Sequence, residues 1–536
     1  MDAEQPGTDL VQVRTGVYHD SVSLMRVSRA AGDLPGVKVA VVAMATELNL
    51  GIAAELGFEL PAAGPGDLLV ALRADDRDAA GRAAAEVGRL LDGLGPEGGA
   101  GDGGAENGAG EPPRTVRAAV RAAGGGATLA LVSVPGPHAF AEALDAVEAG
   151  LSVMVFSDNV PVAQEVLLKR RAAERGVLVM GPDCGTAVVA GAGLGFANVL
   201  RPGPVGVVAA SGTGAQQLTC LLDLAGVGVS HVLGVGGRDL SAEVGGLSTL
   251  HALAALDADP ATELIVLVSK PPAPEVARDV RRAAARLATP VVTVFPGAAE
   301  NGGSAEDGGS TEGSAEDGDS SWNGGPDLTS AAEAVLRALG AQVPDWPAWP
   351  AAGAGRTPGP AAPDGAGRDA AGGTAECVPA GSAAGGAGAA GTAGGRARAL
   401  HGIYSGGTLC AEAELAAGTG TFTDYGDDAY TRGRAHPMID PSLRLEALAA
   451  VPAGDVALLD VVLGHGADPD PAARLAPAIA AAVARGTTVV AALVGSAGDP
   501  QGLDAQAEAL RAAGADVFAS NARAARHAAR LCGGAR

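Results

Sequence analysis

The chain has 536 residues and a formal net charge of −24, and a surface of that sign repels the phosphate backbone of nucleic acid, which is excluded as a partner. Apolar residues make up 47% but aromatics only 3%, so the cores must be built from Ala, Val and Leu, a composition suited to parallel sheets covered by helices. Five widely spaced cysteines form no CxxC pair, the acidic start MDAEQPGTDL has no signal-peptide layout, and no uncharged apolar run reaches membrane-spanning length. The expectation is a cytoplasmic protein with no disulfide framework, metal site or membrane association.

Three stretches lack both periodicity and large apolar residues, so burial there cannot offset chain entropy. Residues 94–113 and 299–326 read as low-complexity insertions, and 351–397 as a disordered linker. Between them lie three folded blocks. The first, 10–150, offers strands at 37–44 (VKVAVVAM), 67–74 (DLLVALRA) and 128–134 (TLALVSV). The second, 151–345, offers strands at 151–157, 177–181, 205–210, 231–236, 263–269 and 290–295. The third, 399–533, offers 455–463 (DVALLDVVL), 487–495 (TTVVAALVG) and 515–520 (ADVFAS). Short apolar strands alternating with Ala-rich helices predict α/β units with parallel sheets and right-handed crossovers. Each block is expected to be doubly wound or Rossmann-like, with ligands beyond the carboxyl ends of the strands.

Five motifs stand out, four of them at such strand ends. In MGPDCGTAVV (180–189), Gly181 and Asp183 shape a turn, and Cys184 reads as a packed thiol because no histidine partner is evident nearby. In VGVVAASGTGAQQ, a strand ends in Ser211-Gly212-Thr213-Gly214 and a helix begins at once. The hydroxyls suit helix capping, and free N–H groups with the helix dipole favour an anion; a bare strand–helix turn is the alternative. In GVGGRDLSAEVGG, Gly236-Gly237 precede Arg238 and Asp239, read either as an anion fork or as a surface ion pair. In DYGDDAYTRGRAHPMIDPSLR, Arg434, His436, Asp440 and Arg444 are candidates for a substrate-anion site, against a solvated loop stapled by ion pairs. In LLDVVLGHGADPDP, His465 stands between Gly464 and Gly466, placed for acid–base or phosphate work or simply filling a turn.

Taken together, these motifs carry a resemblance. The order GPDCGTA, VGVVAASGTGAQQ, GVGGRDLS, ELIVLVSK resembles the α subunit of succinyl-CoA synthetase, and 399–533 resembles the carboxyl-terminal ligase domain of its β subunit. With YHDSVSLM, SKPP, YSGGTLC, RGRAHPMIDP and SNARAA added, the chain is identified as a member of the FdrA family, which joins both domains in one chain. The resemblance implies a Rossmann-like CoA-binding-type domain over 10–150, a flavodoxin-like synthetase α-type domain over 151–345 and a ligase domain over 399–533. It implies coenzyme A or an acyl or carbamoyl phosphate as ligand. It also implies that the 211–214 turn faces a second turn at 464–466, with His465, Lys270 and Arg238 as catalytic candidates.

Four departures shape the functional reading, the first being that GVYHDSVSLM replaces the α subunit's GFTGxxG CoA fingerprint near the amino terminus. The synthetase's phosphorylated histidine has no counterpart after PVVTVF, Ser269-Lys270 stands where that enzyme has a glutamate, and its nucleotide-binding ATP-grasp domain is absent. The expected function is an acyl-CoA synthetase (succinate–CoA ligase-like) subunit acting on small carboxylate and phosphate substrates, with companion subunits or as a homo-oligomer. A subunit of an oxamate carbamoyltransferase is the alternative, and a non-catalytic CoA- or anion-sensing scaffold the third reading.

Overall fold

The computed structural model describes residues 7–93, 113–295, 324–351 and 398–533, apart from positions 18, 20, 65, 114, 432 and 433. The two insertions and the linker therefore lie almost wholly outside the described residues.

Strands β1 (Thr8–Arg14), β2 (Val37–Met44) and β3 (Leu68–Ala74) form a sheet in the order β1-β3-β2, antiparallel throughout. The alternation in β3 sends Leu68, Val70 and Leu72 to one face, against helices Ser21–Gly32 and Arg77–Gly93. Leu69 and Ala71 go to the other, against Ala53 and Phe58. Strands β4 (Leu129–Val132), β5 (Ser152–Val155) and β6 (Val179–Met180) form a separate parallel sheet, crossed over by helices Gly136–Glu148 and Val162–Arg175.

The expected Rossmann-like unit over 10–150 is thus corrected. Its first part is antiparallel, because β1 and β2 both pair with β3. Its last strand belongs with two strands that the sequence reading assigned to 151–345.

The second large sheet contains β7 (Thr186–Val189), β8 (Ala192–Gly195), β9 (Pro202–Ala209), β10 (Val229–Gly234), β11 (Leu264–Val268) and β12 (Val291–Val294), in the order β12-β11-β9-β10-β7-β8. The third contains β13 (Ala348–Trp349), β14 (Leu400–Tyr404), β15 (Thr421–Asp424), β16 (Val456–Val462), β17 (Thr488–Val494) and β18 (Ala515–Phe518), in the order β13-β18-β17-β16-β14-β15. Strands β9–β12 and β14–β18 run parallel. In both sheets the first parallel strand lies between the second and third, so β9 and β14 each end at a topological switch point, where open α/β sheets bind ligands.

These two units share one apolar core. It runs from Val205, Val207, Leu218 and Leu222 through Leu328 and Val335 to Leu400, Tyr404, Leu409 and Ala525. Its buried polar groups are paired across the junction. The Asn521 side chain donates to Leu409 O (2.9 Å) and Glu412 Oε2 (2.7 Å) and accepts the Tyr404 hydroxyl (3.0 Å), while its backbone N–H meets Gln217 Oε1 (3.1 Å). A second clasp is made by Asp499, which accepts Asn198 Nδ2 (2.7 Å), Val199 N (2.8 Å) and Ser496 N (2.8 Å). The amino-terminal unit docks on the third sheet through Arg29 to Asp440 and Arg474 to Asp33. Among the described residues no helix is long and apolar enough to cross a membrane.

The small parallel unit is pinned to the second sheet by a buried ion network. The Lys169 ammonium meets Glu165 Oε1 (2.8 Å), Asp239 Oδ1 (2.7 Å) and Val235 O (3.0 Å), and its side chain has no solvent exposure. Removing it leaves the buried Asp239 without a cation and Glu165 with Arg238 alone. Lys169→Met should therefore cost about 3–5 kcal/mol in denaturant unfolding of the full chain, and a loss under about 1 kcal/mol would show that the network relaxes.

Candidate functional site

Strand β9 runs into Ser211, whose extended backbone (φ −157°, ψ 119°) and Oγ cap the helix Gly212–Leu224 by accepting Gly214 N at 3.0 Å. Strand β14 runs into Ser405-Gly406, and the helix Gly407–Ala417 follows without a side-chain cap. The two turns meet. The Ser211 hydroxyl donates to Thr408 Oγ1 at 2.6 Å. A Cβ on Gly406 would fall 2.5 Å from Thr213 Cγ2, and one on Gly214 would fall 3.0 Å from Thr408 Cγ2. Only glycine allows this approach.

Two helices thus point their N-termini at one place, one from each switch point. The amides of Gly212, Thr213, Gly407 and Thr408 have no acceptor among the described residues, as the first N–H groups of a helix have none within it. Each end carries a partial positive charge, so the junction favours an anion.

Around this junction stand Asp424, Lys270 and His436. Asp424 ends β15; its Oδ1 accepts Gly426 N at 2.8 Å, and its Oδ2 lies 2.7 Å from where a Cβ on Gly407 would be. Burial, together with the neighbouring Asp460 and Asp427, pushes this carboxyl up to about 6, against the pull of the Gly426 N–H and Lys270. Lys270, exposed just past the end of β11, is the cation on that side. His436 packs on the Phe196 ring at 5.5 Å, and its Nδ1 accepts Met438 N at 3.3 Å, which leaves the proton on Nε2. Burial and the Arg444 charge push this imidazole down to about 4, so it is neutral at physiological pH.

Several of the residues singled out in the sequence have other duties. Arg444 is buried and forms an ion pair with Asp460 at 2.8 Å, and Asp460 in turn holds Ser405 N (2.8 Å) and Oγ (2.9 Å). Arg444 therefore supports the second turn from inside the protein through its Nη2, while its buried Nε has no hydrogen-bond partner among the described residues. Asp440 is bound to Arg29 and Ser442, leaving Arg434 as the exposed cation among the described residues of that loop. Asp239 is fully buried and accepts Lys169 together with Ser248 N and Thr249 N, and Arg238 reaches Glu165 (2.9 Å) and Val160 O (2.8 Å); both are structural.

The turns at 181–184 and 236–237 pack on one another, a Cβ on Gly236 falling 2.4 Å from Pro182 O. Gly181 (φ 93°) and Asp183 (φ 58°) take the left-handed region there, and Gly237 lies alongside Asp183. Cys184 is buried beside them, its thiol pushed up to about 12 by burial, and is inert. The turn at 464–466 packs on 195–198, a Cβ on Gly466 falling 3.0 Å from Gly195 O. His465 pairs through its backbone with Ala197 (2.8 and 3.2 Å), Gly464 is held by Gln501, and the His465 side chain is exposed. The partner of the 211–214 turn is 405–408, a site the sequence reading missed although YSGGTLC repeats the strand–glycine–helix pattern of AASGTGAQQ.

Comparison with known proteins follows the same division. Residues 8–107 match the family described as AllF, heavy metal-associated domain, 201–297 the CoA-binding domain family and 403–531 the CoA-ligase family. The CoA-binding match therefore falls on the second large sheet and not within 10–150. Residues 8–107 contain no cysteine and one histidine, His19, so their donor set does not fit a heavy metal. Uncharacterized protein YahF of Escherichia coli (strain K12) is 33% identical over 554 residues, covering 95% of this chain and 96% of that protein. The succinate–CoA ligase [ADP-forming] subunit alpha 2 of Archaeoglobus fulgidus is 31% identical over 160 residues, 29% of this chain and 54% of its own. The malate–CoA ligase subunit alpha of Methylorubrum extorquens is 31% identical over 172 residues, 30% and 56% respectively. The chain thus matches little more than half the length of these ligase subunits.

The electrostatics of His436 give a pH test. Its folded value near 4 lies below the ordinary 6.5, so the unfolded chain protonates first and the contribution of His436 to stability is lost as pH falls between those values. Asp424, shifted upward, acts in the opposite sense over about the same range, so the comparison must be with a variant. The stability advantage of the wild type over His436→Gln should shrink by up to about 3 kcal/mol between pH 7.5 and 4.5. A difference independent of pH would show that the imidazole is not desolvated.

Proposed function

Because the chain belongs to the same family as Escherichia coli YahF and joins a CoA-binding domain to a CoA-ligase domain, we propose that it is a CoA-ligase-like enzyme of FdrA type, moving an acyl group between phosphate and the thiol of coenzyme A. The observation that carries this reading is the meeting of the two switch-point turns at Ser211 and Thr408. Two helix N-termini aimed at one point suit a phosphoryl group, which spreads its charge over several oxygens that backbone amides can hold. Lys270 would complete the phosphate site, and Arg434, on the loop beside His436, would take the carboxylate of the acyl group.

The chemistry assigned to this chain is acyl transfer alone. No histidine occurs between β12 and the helix Leu328–Ala338, and no nucleotide-binding ATP-grasp domain is recognisable, so the acyl phosphate would arrive preformed or from a companion subunit. The missing histidine also favours a second reading, transfer of a carbamoyl group between phosphate and a small acid such as oxamate. That reaction needs positioning and anion stabilisation but no phosphorylated residue.

The deciding experiment incubates the full chain with coenzyme A and an acyl phosphate (acetyl or succinyl) and follows thioester formation. A parallel reaction with oxamate and carbamoyl phosphate follows phosphate release. Thioester formation supports the first reading; phosphate release in the second mixture alone supports carbamoyl transfer. Gly212→Val should lower the rate at least ~100-fold while keeping the fold, since its side chain would enter the anion site. Its Cβ would meet only the Thr186 side chain, Oγ1 at 3.2 Å and Cβ at 3.8 Å. Lys270→Met should raise the KM for the acyl phosphate by ~10-fold with little effect on stability, and an unchanged KM would remove Lys270 from the site.

A further inference from the structure

Asp424 stands where a bound anion would compete with it. Its Oδ2 approaches Gly407, the first residue of the helix Gly407–Ala417, and its Oδ1 is tied to Gly426 N. Beside Gly426, a single point lies 2.6 Å from Ser405 O, 3.0 Å from His436 Nε2 and 3.1 Å from Asp424 Oδ1. The charged and titratable groups facing Asp424 come from the adjacent elements, among them the buried Cys410 thiol on the helix Gly407–Ala417, which burial and the acid itself push up to about 12. Lys270 follows β11, Asp460 lies in β16 with Arg444 bound behind it, Asp427 is on its own loop, and His436 is on the loop opposite.

A carboxylate beside a phosphoryl site opposes the ligand unless it is displaced or neutral when the ligand binds. Displacement would break the Gly426 contact and move a partly buried group; protonation would not. Burial already holds the carboxyl at about 6, so a neighbouring dianion has to raise it little further for it to be protonated near neutrality. The imidazole of His436, neutral over that range, does not compete for the proton.

We propose that Asp424 is a catalytic residue that carries a proton between the coenzyme A thiol and the departing phosphate. The inference rests on the acyl-transfer reading above. In the transfer step a C–S bond forms, the C–O bond to phosphate breaks, and the Asp424 carboxyl gives its proton to the leaving phosphate oxygen. The resulting carboxylate takes the proton of the thiol. Thiol and acyl phosphate dianion thereby become thioester and hydrogen phosphate, with Asp424 returned to its starting state. The same path run backwards makes acyl phosphate from a thioester.

The test has two arms, both on the full chain. The first measures binding of sulfate, a tetrahedral dianion that does not titrate near neutrality, by calorimetry at pH 7 in buffers of different ionisation enthalpy. The wild type should take up a large fraction of a proton per sulfate. Asp424→Asn should bind sulfate at least as tightly with no uptake, and Asp424→Glu should restore it. Uptake unchanged in Asp424→Asn overturns the proposal. Absence of sulfate binding by the wild type overturns it too, together with the anion site itself. The second arm measures thioester formation from acetyl phosphate and coenzyme A. Asp424→Asn should lower kcat by ~100-fold or more, with the KM for acetyl phosphate unchanged or lowered. An unaltered kcat overturns the catalytic role while leaving the acyl-transfer reading standing. A wild type that forms no thioester from any acyl phosphate sinks that reading and the proton transfer with it, whatever the sulfate result.

Discussion

Two helix N-termini pressed against each other repel, and the rest of the structure is arranged to hold them there. The helices Gly212–Leu224 and Gly407–Ala417 start from equivalent strands of two sheets and meet through Ser211 and Thr408. One hydroxyl contact does not overcome the opposition of two dipole ends in a partly buried place. The opposing force is the core that runs from one sheet to the other, with Leu218 and Leu222 on one side and Leu409 and Ala525 on the other. Asn521 and Gln217 fix its register, because a slip of either helix would strand buried polar groups that are now paired. Asp499 holds the far edge by gathering amides and an amide side chain from both units. The opposition at the junction is therefore local, and a bound anion would relieve it.

Most strands were legible in the sequence because parallel strands buried on both faces read as unbroken apolar runs, as VALLDVV and TVVAALV do. The missed ones lack that signature. In β14, Gly402 interrupts the run because the Phe422 ring occupies the space of its side chain. In β1, TDLVQVR alternates, as a strand at the edge of an antiparallel sheet does. Since β14 was not read as a strand, the turn after it was not read as a switch point, and its contact with 211–214 went unread.

The site residues divide along a similar line. Backbone chemistry was readable: Ser211 caps its helix through a contact three residues away, as the local sequence indicates. Side-chain charge was not. Arg444 and Asp239 stand in polar, glycine-rich segments that resemble ligand loops, yet each is committed to a partner that sequence proximity does not reveal. Asp460 lies sixteen positions from Arg444, and Lys169 lies seventy from Asp239. Asp424 was passed over for the converse reason, since among several neighbouring acids only the fold singles out the one beside a helix start.

The resulting division of labour bears on turnover. The arginine and lysine nearest the framework, Arg444 and Lys169, are neutralised inside it, so on the proposed reading an anion would be held by amide dipoles with the exposed Lys270 at the rim. Fixed dipoles stabilise charge without reorganising, which favours a transition state in which charge moves from thiol to phosphate. A pair of buried guanidinium groups would bind the product phosphate more tightly and slow its release. A carboxyl that is neutral beside the bound anion and ionised once it has gone works in the same direction. Its protonated form tolerates the phosphate while the acyl group moves, and its ionised form opposes return of the phosphate once it has left. On this argument the acid at 424 would be as much a part of the phosphate site as the helix ends, its proton bound and released together with the anion.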